Sequence, residues 1–248
     1  MIDIILFIFD IARSHLAIYT IYMPAKNSIK IYRENSIYHI YNRGVEKRKI
    51  FLDEQDYKVF LTCLKQYLSD PETEPKRQTL QGETLQYHTS KNYFREIELL
   101  SFCLMPNHIH LLIKQKNKDS IKKFTQSLFT RYSIYFNRKY KRSGPLFQGV
   151  YKATNVINKD YLLDLTRYIH KNPLKYAKNL VDSYSSYATY LGLYNTSWIN
   201  KNVVLDYFDA STFIKHNNIK SYKEFVEDFK YIHEGLDLSS DELSTQES

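Results

Sequence analysis

The sequence predicts an α+β protein in which helices pack on one or both faces of a mostly antiparallel β-sheet. The first observation behind this prediction is the order of the patterns along the 248 residues, which runs β, α, β, β, α, β, α. The second is that strand-like runs are paired as in hairpins and interrupted by helices. The third is that the sequence has no internal repeat and no glycine-rich phosphate-binding loop.

The first strand is followed by the first helix. The run SIYHIYNRG from Ser36 alternates in the manner of a strand and stops at Gly44. The run DEQDYKVFLTCLKQYL from Asp53 has apolar residues at helical spacing after an acidic first turn. Residues 70–92 are polar, include two prolines and show no period, so we expect a loop or insertion there.

Three more strands and two more helices are predicted after this insertion. The run FREIELLSFCLMPNHIHLLIK contains two strand-like stretches, which Pro106 separates with a turn. Ser120 stands in the N-cap position before IKKFTQSLFTRYSIYFNRKY, whose apolar residues form one helical stripe. The run SGPLFQGVYKATNVI continues as a strand after its Gly and Pro. The last run, NKDYLLDLTRYIHKNPLKY, is helical up to Pro173.

We expect one domain with an extension at each end. Residues 23–198 have the patterning of a soluble domain, and residues 199–248 form a C-terminal extension with an acidic tail. Residues 1–22 are mostly apolar, but Asp3, Asp10, Arg13 and His15 interrupt them, and the uninterrupted stretch is too short for a membrane span. The leading explanation is a start site assigned too early, because Met23 opens the patterned region. An amphipathic packing helix or a weak membrane contact is the alternative.

Positive charge is concentrated in one stretch of the chain. The formal net charge is +8, and residues 114–152 hold eleven Lys or Arg against the single Asp119. Such a patch favours an acidic partner, although composition alone leaves both nucleic acid and a membrane surface open. The two cysteines, Cys63 and Cys103, lack the spacing of a zinc site or a disulfide framework, which fits a reducing cytoplasm.

A pair of histidines lies inside one predicted strand. In MPNHIHLLIK, His108 and His110 point to the same face of the sheet, because side chains two residues apart share a face. This is a geometry for ligating a metal ion, and histidines buried in the core are the alternative. In RYIHKNP, Tyr168 and Asn172 are four residues apart and share a helix face, so a tyrosine and an amide could face the pair. A core aromatic residue and a polar helix terminus are the alternatives for those two.

Four motifs occur in a fixed order between about Ser36 and Trp198. They are YHIYNRG with IFLDEQDY, then MPNHIHLLI, then SGPLFQGVYKA, then RYIHKNPLKY. In this order they resemble the REP-associated tyrosine transposases, within the single-tyrosine HUH transposase superfamily. The resemblance implies a ferredoxin-like fold for the catalytic domain of residues 23–198. It also implies DNA transposition by metal-dependent cleavage and strand transfer of single-stranded DNA.

The resemblance extends to individual residues. His108 and His110 match the paired histidines, Tyr168 matches the nucleophile and Asn172 matches the third polar metal ligand. The implied ion is Mg²⁺ or Mn²⁺, although imidazoles by themselves would suit zinc as well. Attack by the tyrosine leaves a 5′-phosphotyrosine and a free 3′ hydroxyl, so a second DNA end can be joined without a nucleotide cofactor.

The implied partner is single-stranded or hairpin DNA, bound by a monomer or homodimer in the cytoplasm. Seven basic residues are expected to contact its phosphates, and a solvated helix face is the alternative for them: Lys122, Lys123, Arg131, Arg138, Lys139, Lys141 and Arg142. The competing function is a domesticated, non-mobile protein that binds hairpin DNA or RNA. A membrane-attached structural protein would explain neither the basic stretch nor the motif order.

Overall fold

A computed structural model describes residues 32–72 and 91–228 of the chain. Its four strands form one sheet, with β1 at Ile37–Arg43, β2 at Ile97–Met105, β3 at His108–Gln115 and β4 at Lys152–Asn155. The strand order is β2-β3-β1-β4, and every neighbouring pair is antiparallel. The predicted N-terminal extension, most of the predicted insertion and the end of the acidic tail lie outside the described residues.

Three long helices accompany the strands, with α1 at Glu54–Leu68, α2 at Ser120–Lys139 and α3 at Lys159–Lys171. The first two connect β1 to β2 and β3 to β4, and the third follows β4. This β-α-β-β-α-β order, with β1 and β3 in the centre of the sheet, is the ferredoxin-like arrangement. The predicted α+β class with a mostly antiparallel sheet is therefore confirmed.

Two of the three long helices begin with a side-chain cap. Asp53 and Asp56 form a reciprocal capping box at the start of α1, and Asn158 accepts the Tyr161 amide at the start of α3. Helix α2 differs, because Asp119 occupies its N-cap position and forms no side-chain cap bond. The Ser120 hydroxyl does not cap the helix, since it donates to Glu96 Oε2 at 3.0 Å.

Side chains that alternate along the strands divide the core into two halves, one on each face of the sheet. On one face, Ile109 and Leu111 of β3 are fully buried among residues of α1 and α2. On the other face, Leu112 of β3 is fully buried in a cluster that includes Leu165 and Ile169 of α3. Helices α1 and α2 therefore lie on one face, and α3 lies on the opposite face.

The segment after α3 extends the second half of the core. Up to residue 228 it contains four short helices, with α4 at Tyr187–Tyr190, α5 at Asn202–Ala210, α6 at Thr212–His216 and α7 at Tyr222–Glu227. Val204, Phe225 and Val226 are fully buried in the same cluster as the apolar residues of α3. These helices therefore support α3 from the side that faces away from β3. In the described part of the chain, no helix is long and apolar enough to cross a membrane.

Candidate active site

The histidine pair opens β3, next to the end of β1. His108 and His110 lie on one face of the sheet with 5.1 Å between their ring centroids, while Ile109 is buried among the residues of the α1 and α2 face. The prediction that the two imidazoles share a face is thus met by the geometry. His110 is fully buried, whereas His108 is partly exposed at the edge of the site.

Backbone hydrogen bonds fix the turn that leads into His108. The Gly44 amide donates to the Asn107 carbonyl at 2.8 Å, and the Ile50 amide donates to the Pro106 carbonyl at 2.7 Å. Only glycine fits at position 44, because the chain folds back on itself there and a Cβ atom would lie 2.2 Å from the Arg48 carbonyl oxygen. The segment after β1 therefore holds the start of the histidine strand.

Helix α3 faces the histidine pair with the two residues that the sequence singled out. The Tyr168 ring lies edge-on to His110, with 5.7 Å between centroids, and Asn172 Nδ2 lies 3.2 Å from His110 Nε2. His170, which lies between them in sequence, points away and bonds Ser186 and Tyr222 at 2.7 and 2.8 Å. One side of α3 therefore faces the histidine pair, and the opposite side bonds residues of the segment that follows α3.

Two polar atoms on the site-facing side of α3 are buried without a partner. The Tyr168 hydroxyl and Asn172 Oδ1 form no hydrogen bond with any of the described residues. A buried polar group without a partner costs roughly 1–3 kcal/mol, so each such group calls for a physical reason. Their position beside two imidazoles suits a site completed by a ligand.

The imidazoles of the site and of His39 are all held in their neutral form. Burial lowers the pKa of His39 to about 3, and burial together with the positive charges of Lys175 and Arg43 lowers the pKa of His108 to about 4. Burial, with smaller effects of its neighbours, holds the pKa of His110 well below its ordinary value. A neutral imidazole keeps one nitrogen lone pair, which is the form that ligates metals.

The side chains at the histidine pair fit a divalent ion only if the Asn172 side-chain amide is one of the ligands. Among the residues that the structure describes, no group of three or more His, Cys, Asp or Glu side chains could hold a metal ion. Two neutral imidazoles and Asn172 Oδ1, which has no partner among the described residues, form a mixed nitrogen and oxygen set that suits divalent first-row ions, whereas Mg²⁺ would also depend on water and phosphate oxygens. The residues present therefore fit a bound divalent cation.

Two basic residues beside the histidines were not anticipated from the sequence. Arg43 is the cross-strand partner of His108, and its Nε donates to Gln148 Oε1 at 2.5 Å. Lys175 lies in the 3-10 turn that follows α3, and its charge acts on both histidines. The available signals were the NRG end of the first strand and the lysine one turn after Asn172, but finding Arg43 requires the strand register.

The seven predicted phosphate contacts do not form one surface with the histidines. Most of them belong to α2, which packs on the opposite face of the sheet. Four of the seven have exposed side chains with no partner among the described residues: Lys122, Lys123, Arg138 and Lys141.

The other three predicted phosphate contacts have partners within the protein. Arg131 bonds Gln66 at 2.6 Å, and Arg142 bonds Asn137 at 2.9 Å. Lys139 pairs with both Asp53 and Asp56 at the N-terminus of α1, with nitrogen to oxygen distances of 2.7 and 2.8 Å.

Fold and site together define the class of the protein, a ferredoxin-like domain with a paired-histidine centre that faces a tyrosine-bearing helix. The sequence profile of the family described as "Transposase IS200 like" matches residues 32–172, which is more than half of the chain. The chain belongs to this family of transposases, and DNA transposition is the function that the membership supports. The family expected from the order of the motifs is confirmed at this level.

Comparisons with solved structures give similarities at low sequence identity. One is a REP-associated tyrosine transposase bound to a REP hairpin, with 13% identity and a TM-score of 0.47, covering 68% of this chain and 88% of that one. Another is a transposase candidate from Deinococcus radiodurans R1, with 14% identity and a TM-score of 0.34, covering 59% of this chain and 95% of that one. None of the curated proteins matches the sequence. The family membership rests on the profile match.

Proposed function

We propose that the chain cleaves single-stranded DNA beside a hairpin or repeat and transfers the strand through a 5′-phosphotyrosine formed on Tyr168. The observation that supports this most directly is the pair of unpartnered buried atoms, the Tyr168 hydroxyl and Asn172 Oδ1, beside the neutral imidazoles. The Tyr168 hydroxyl is therefore free to act as the nucleophile and Asn172 Oδ1 as a ligand, whereas the hydrogen bond from Asn172 Nδ2 to His110 Nε2 would have to break for an ion to bind at the pair. A core aromatic residue and a helix-terminal amide would not need an unpartnered oxygen.

The proposed ion is Mg²⁺ or Mn²⁺, and His108, His110 and Asn172 are the residues that would hold it. When bound, such an ion supplies positive charge that polarises the scissile phosphate. Zinc is the alternative that imidazole ligands also allow, so a test must compare the three ions.

The residues of the chain have separate roles in the proposed reaction. The Tyr168 oxygen attacks phosphorus, and the bond from phosphorus to the 3′ oxygen breaks as the new bond forms. The tyrosyl proton leaves to solvent and the 3′ oxygen takes up a proton, which gives a free 3′ hydroxyl. Arg43 and Lys175 offset the negative charge of the strand beside the histidines. The phosphotyrosine bond replaces the broken phosphodiester bond and conserves its energy. A second 3′ hydroxyl can therefore displace Tyr168 and rejoin the strand without a nucleotide cofactor.

The experiment that tests this function is trapping of the covalent adduct. The full chain is incubated with single-stranded DNA that carries a REP-type hairpin and its flanks, with Mg²⁺, Mn²⁺, Zn²⁺ or a chelator. We expect a metal-dependent adduct on a denaturing gel, with the DNA attached to the peptide that contains Tyr168. Hairpin binding without an adduct under any of these conditions would contradict the proposed reaction.

A second candidate function is a non-mobile protein that binds hairpin DNA or RNA. The observation that favours it is the separation of the exposed lysines of α2 from the histidine pair, which lie on opposite faces of the sheet. Binding through α2 would not depend on the chemistry of the site. In either case we place the protein in the reducing cytoplasm, where its two buried thiols stay free.

A further inference from the structure

We propose that Asn107 and His39 are positioning residues that hold His108 and His110 in the tautomer whose Nε2 carries the lone pair. The inference rests on the proposed metal-dependent function, because this lone pair is what an ion at the pair would need. Neither residue would touch the ion or the DNA. Each acts through the Nδ1 atom of the histidine that it bonds.

The tautomer of His108 follows from the orientation of the Asn107 side chain. His108 Nδ1 lies 2.6 Å from Asn107 Oδ1, while Asn107 Nδ2 donates to the Lys47 carbonyl at 3.4 Å. An amide oxygen can only accept, so the proton of the neutral imidazole is on Nδ1. The Nε2 atom of His108 therefore keeps its lone pair.

The tautomer of His110 follows from its two neighbours. His110 Nε2 lies 3.2 Å from Asn172 Nδ2, which is a donor, so Nε2 is the acceptor of that bond. The proton of His110 is then on Nδ1, which lies 2.8 Å from His39 Nε2. His39 Nε2 accepts the hydrogen bond from this N–H group, so the neutral His39 ring carries its own proton on Nδ1.

His39 is placed for this role by the sheet and not by its position in the sequence. Residues 39 and 110 are 71 positions apart, and in the strand register Tyr41 is the direct partner of His110. His39 is the diagonal neighbour on the same face, where long side chains can still meet. It is 2% exposed, so water cannot easily replace it as the acceptor for His110.

In a metal-binding histidine, the group that hydrogen-bonds the ring nitrogen not bound to the metal usually fixes the orientation and tautomer of the ring. Removing that group costs roughly 10–100-fold in metal affinity. An acceptor at Nδ1 is the feature that matters here. Variants that keep an acceptor should therefore preserve the tautomer, whereas variants that remove it should not. Asn107→Asp and His39→Gln keep an acceptor, and Asn107→Ala and His39→Leu remove it.

The first measurement is the tautomer itself, read from two-bond ¹⁵N–¹H correlations of the imidazoles in the full chain without metal. We expect both His108 and His110 to carry the proton on Nδ1. In His39→Leu the His110 signals should move toward a mixture of tautomers, and in His39→Gln they should stay. Finding the proton on Nε2 of either histidine in the unmodified chain would overturn the proposal for that residue.

The second measurement is the affinity for Mn²⁺ alone, followed by electron paramagnetic resonance. We expect losses of about 10–100-fold for Asn107→Ala and His39→Leu, with most of the affinity kept in Asn107→Asp and His39→Gln. The matched control is His170→Gln, because His170 is an equally buried histidine that bonds Ser186 and Tyr222 on the far side of α3. Its affinity for Mn²⁺ and the tautomers of the pair should not change, even if it lowers stability.

Failure of this inference differs from failure of the proposed function. If the unmodified chain binds no Mn²⁺, the metal-dependent function is wrong, while the tautomer measurement still decides whether the two residues position the pair. If Mn²⁺ binds and neither tautomers nor affinity change in His39→Leu and Asn107→Ala, the positioning roles are wrong and the function stands.

Discussion

The aromatic ring of Tyr168 lies edge-on to the imidazole of His110, with 5.7 Å between ring centroids and 90° between ring planes. These residues come from α3 and β3, which pack against each other across one face of the sheet. The contact holds the tyrosine beside the paired histidines within a single chain, and its hydroxyl has no hydrogen-bond partner among the described residues.

The first prediction concerns the nucleophile. Tyr168→Phe removes the oxygen that would attack phosphorus and keeps the ring packed against His110, so covalent adduct should disappear while hairpin affinity changes less than about twofold. Adduct is measured on denaturing gels and affinity by fluorescence anisotropy. Tyr161→Phe, on the same helix two turns earlier, is the control and should keep full adduct yield. Equal yields from Tyr168→Phe and the unmodified chain would point to Tyr161 or Tyr176 instead.

The second prediction concerns the histidine pair. His108→Ala and His110→Ala should each weaken Mn²⁺ binding by more than about 100-fold, because each removes a direct donor and not only its support. His110→Ala should also lower stability by roughly 1–3 kcal/mol, since the fully buried imidazole bonds both His39 and Asn172. Isothermal titration and urea unfolding measure the two effects. If His108→Ala unfolds the sheet and the unmodified chain binds no metal, the core-histidine explanation is correct.

The third prediction concerns the charges that flank the site. Arg43→Gln and Lys175→Gln should each lower the affinity for unpaired DNA and reduce the log–log salt slope by about 0.7, the value for one phosphate contact on a single strand. Lys58→Gln is a suitable control, because Lys58 is exposed on the α1 side of the sheet and pairs with Glu54. A slope that stays the same in Arg43→Gln and Lys175→Gln would remove both residues from the path of the strand.

The fourth prediction concerns the exposed basic residues of α2. Lys122→Gln and Lys123→Gln should each reduce the salt slope for a hairpin by about 0.9, the value for one phosphate on a duplex stem. Matched and scrambled hairpins should lose affinity alike, because phosphate contacts carry no base information. Cleavage of a strand without a hairpin should be unaffected, since α2 lies on the face opposite His108. Unchanged slopes would mean that this part of α2 is a solvated helix face.

The fifth prediction concerns Lys139, which we propose stabilises the fold more than it binds DNA. Burial of Asp56 raises its pKa, but hydrogen bonds from Lys139, from the Leu52 amide and from two tyrosines outweigh burial and lower the pKa below its ordinary value. A carboxyl with a lowered folded-state pKa contributes stability that is present above its unfolded pKa of about 4 and is lost as the pH falls through the folded pKa.

Lys139→Met should therefore lower the free energy of unfolding by about 1.5–3 kcal/mol at pH 7, because it removes a charged hydrogen bond to a buried carboxylate. The difference from the unmodified chain should shrink as the pH falls from about 4 through the lowered folded-state pKa of Asp56, because the carboxylate that Lys139 bonds then becomes protonated. Urea unfolding at pH 7 and pH 3 measures both values. Equal differences at the two pH values, or a reduced salt slope for the hairpin, would contradict this role.

Much of the fold could be predicted from local patterns. The order of strands and helices, the turn at Pro106 and the end of α3 near Pro173 all follow from residue periodicity and backbone chemistry. The cap of α2 could not, because the Ser120 hydroxyl is drawn to Glu96 from a different part of the chain. The helix boundary was therefore predicted well, and the hydrogen bond at it was not.

The sequence by itself determined which candidate side chains share a face of their own element. His108 and His110 do so because a strand has a period of two, and Tyr168 and Asn172 do so because a helix returns after four residues. Those relations depend only on backbone geometry within one element. In the tertiary structure the two faces lie against each other, and the distance between Asn172 Nδ2 and His110 Nε2 is 3.2 Å.

Only the tertiary structure decided which distant residues surround the pair and which do not. His39 and Arg43 reach the histidines through the register of β1 on β3, and Lys139 turns to Asp56 because α1 packs against α2. The physical reason is that strand pairing and burial bring together residues that are far apart in sequence. The periodicity within one element contains no information about these contacts. For the same reason the basic stretch, read as one patch in sequence, lies mainly on the face of the sheet opposite the histidines.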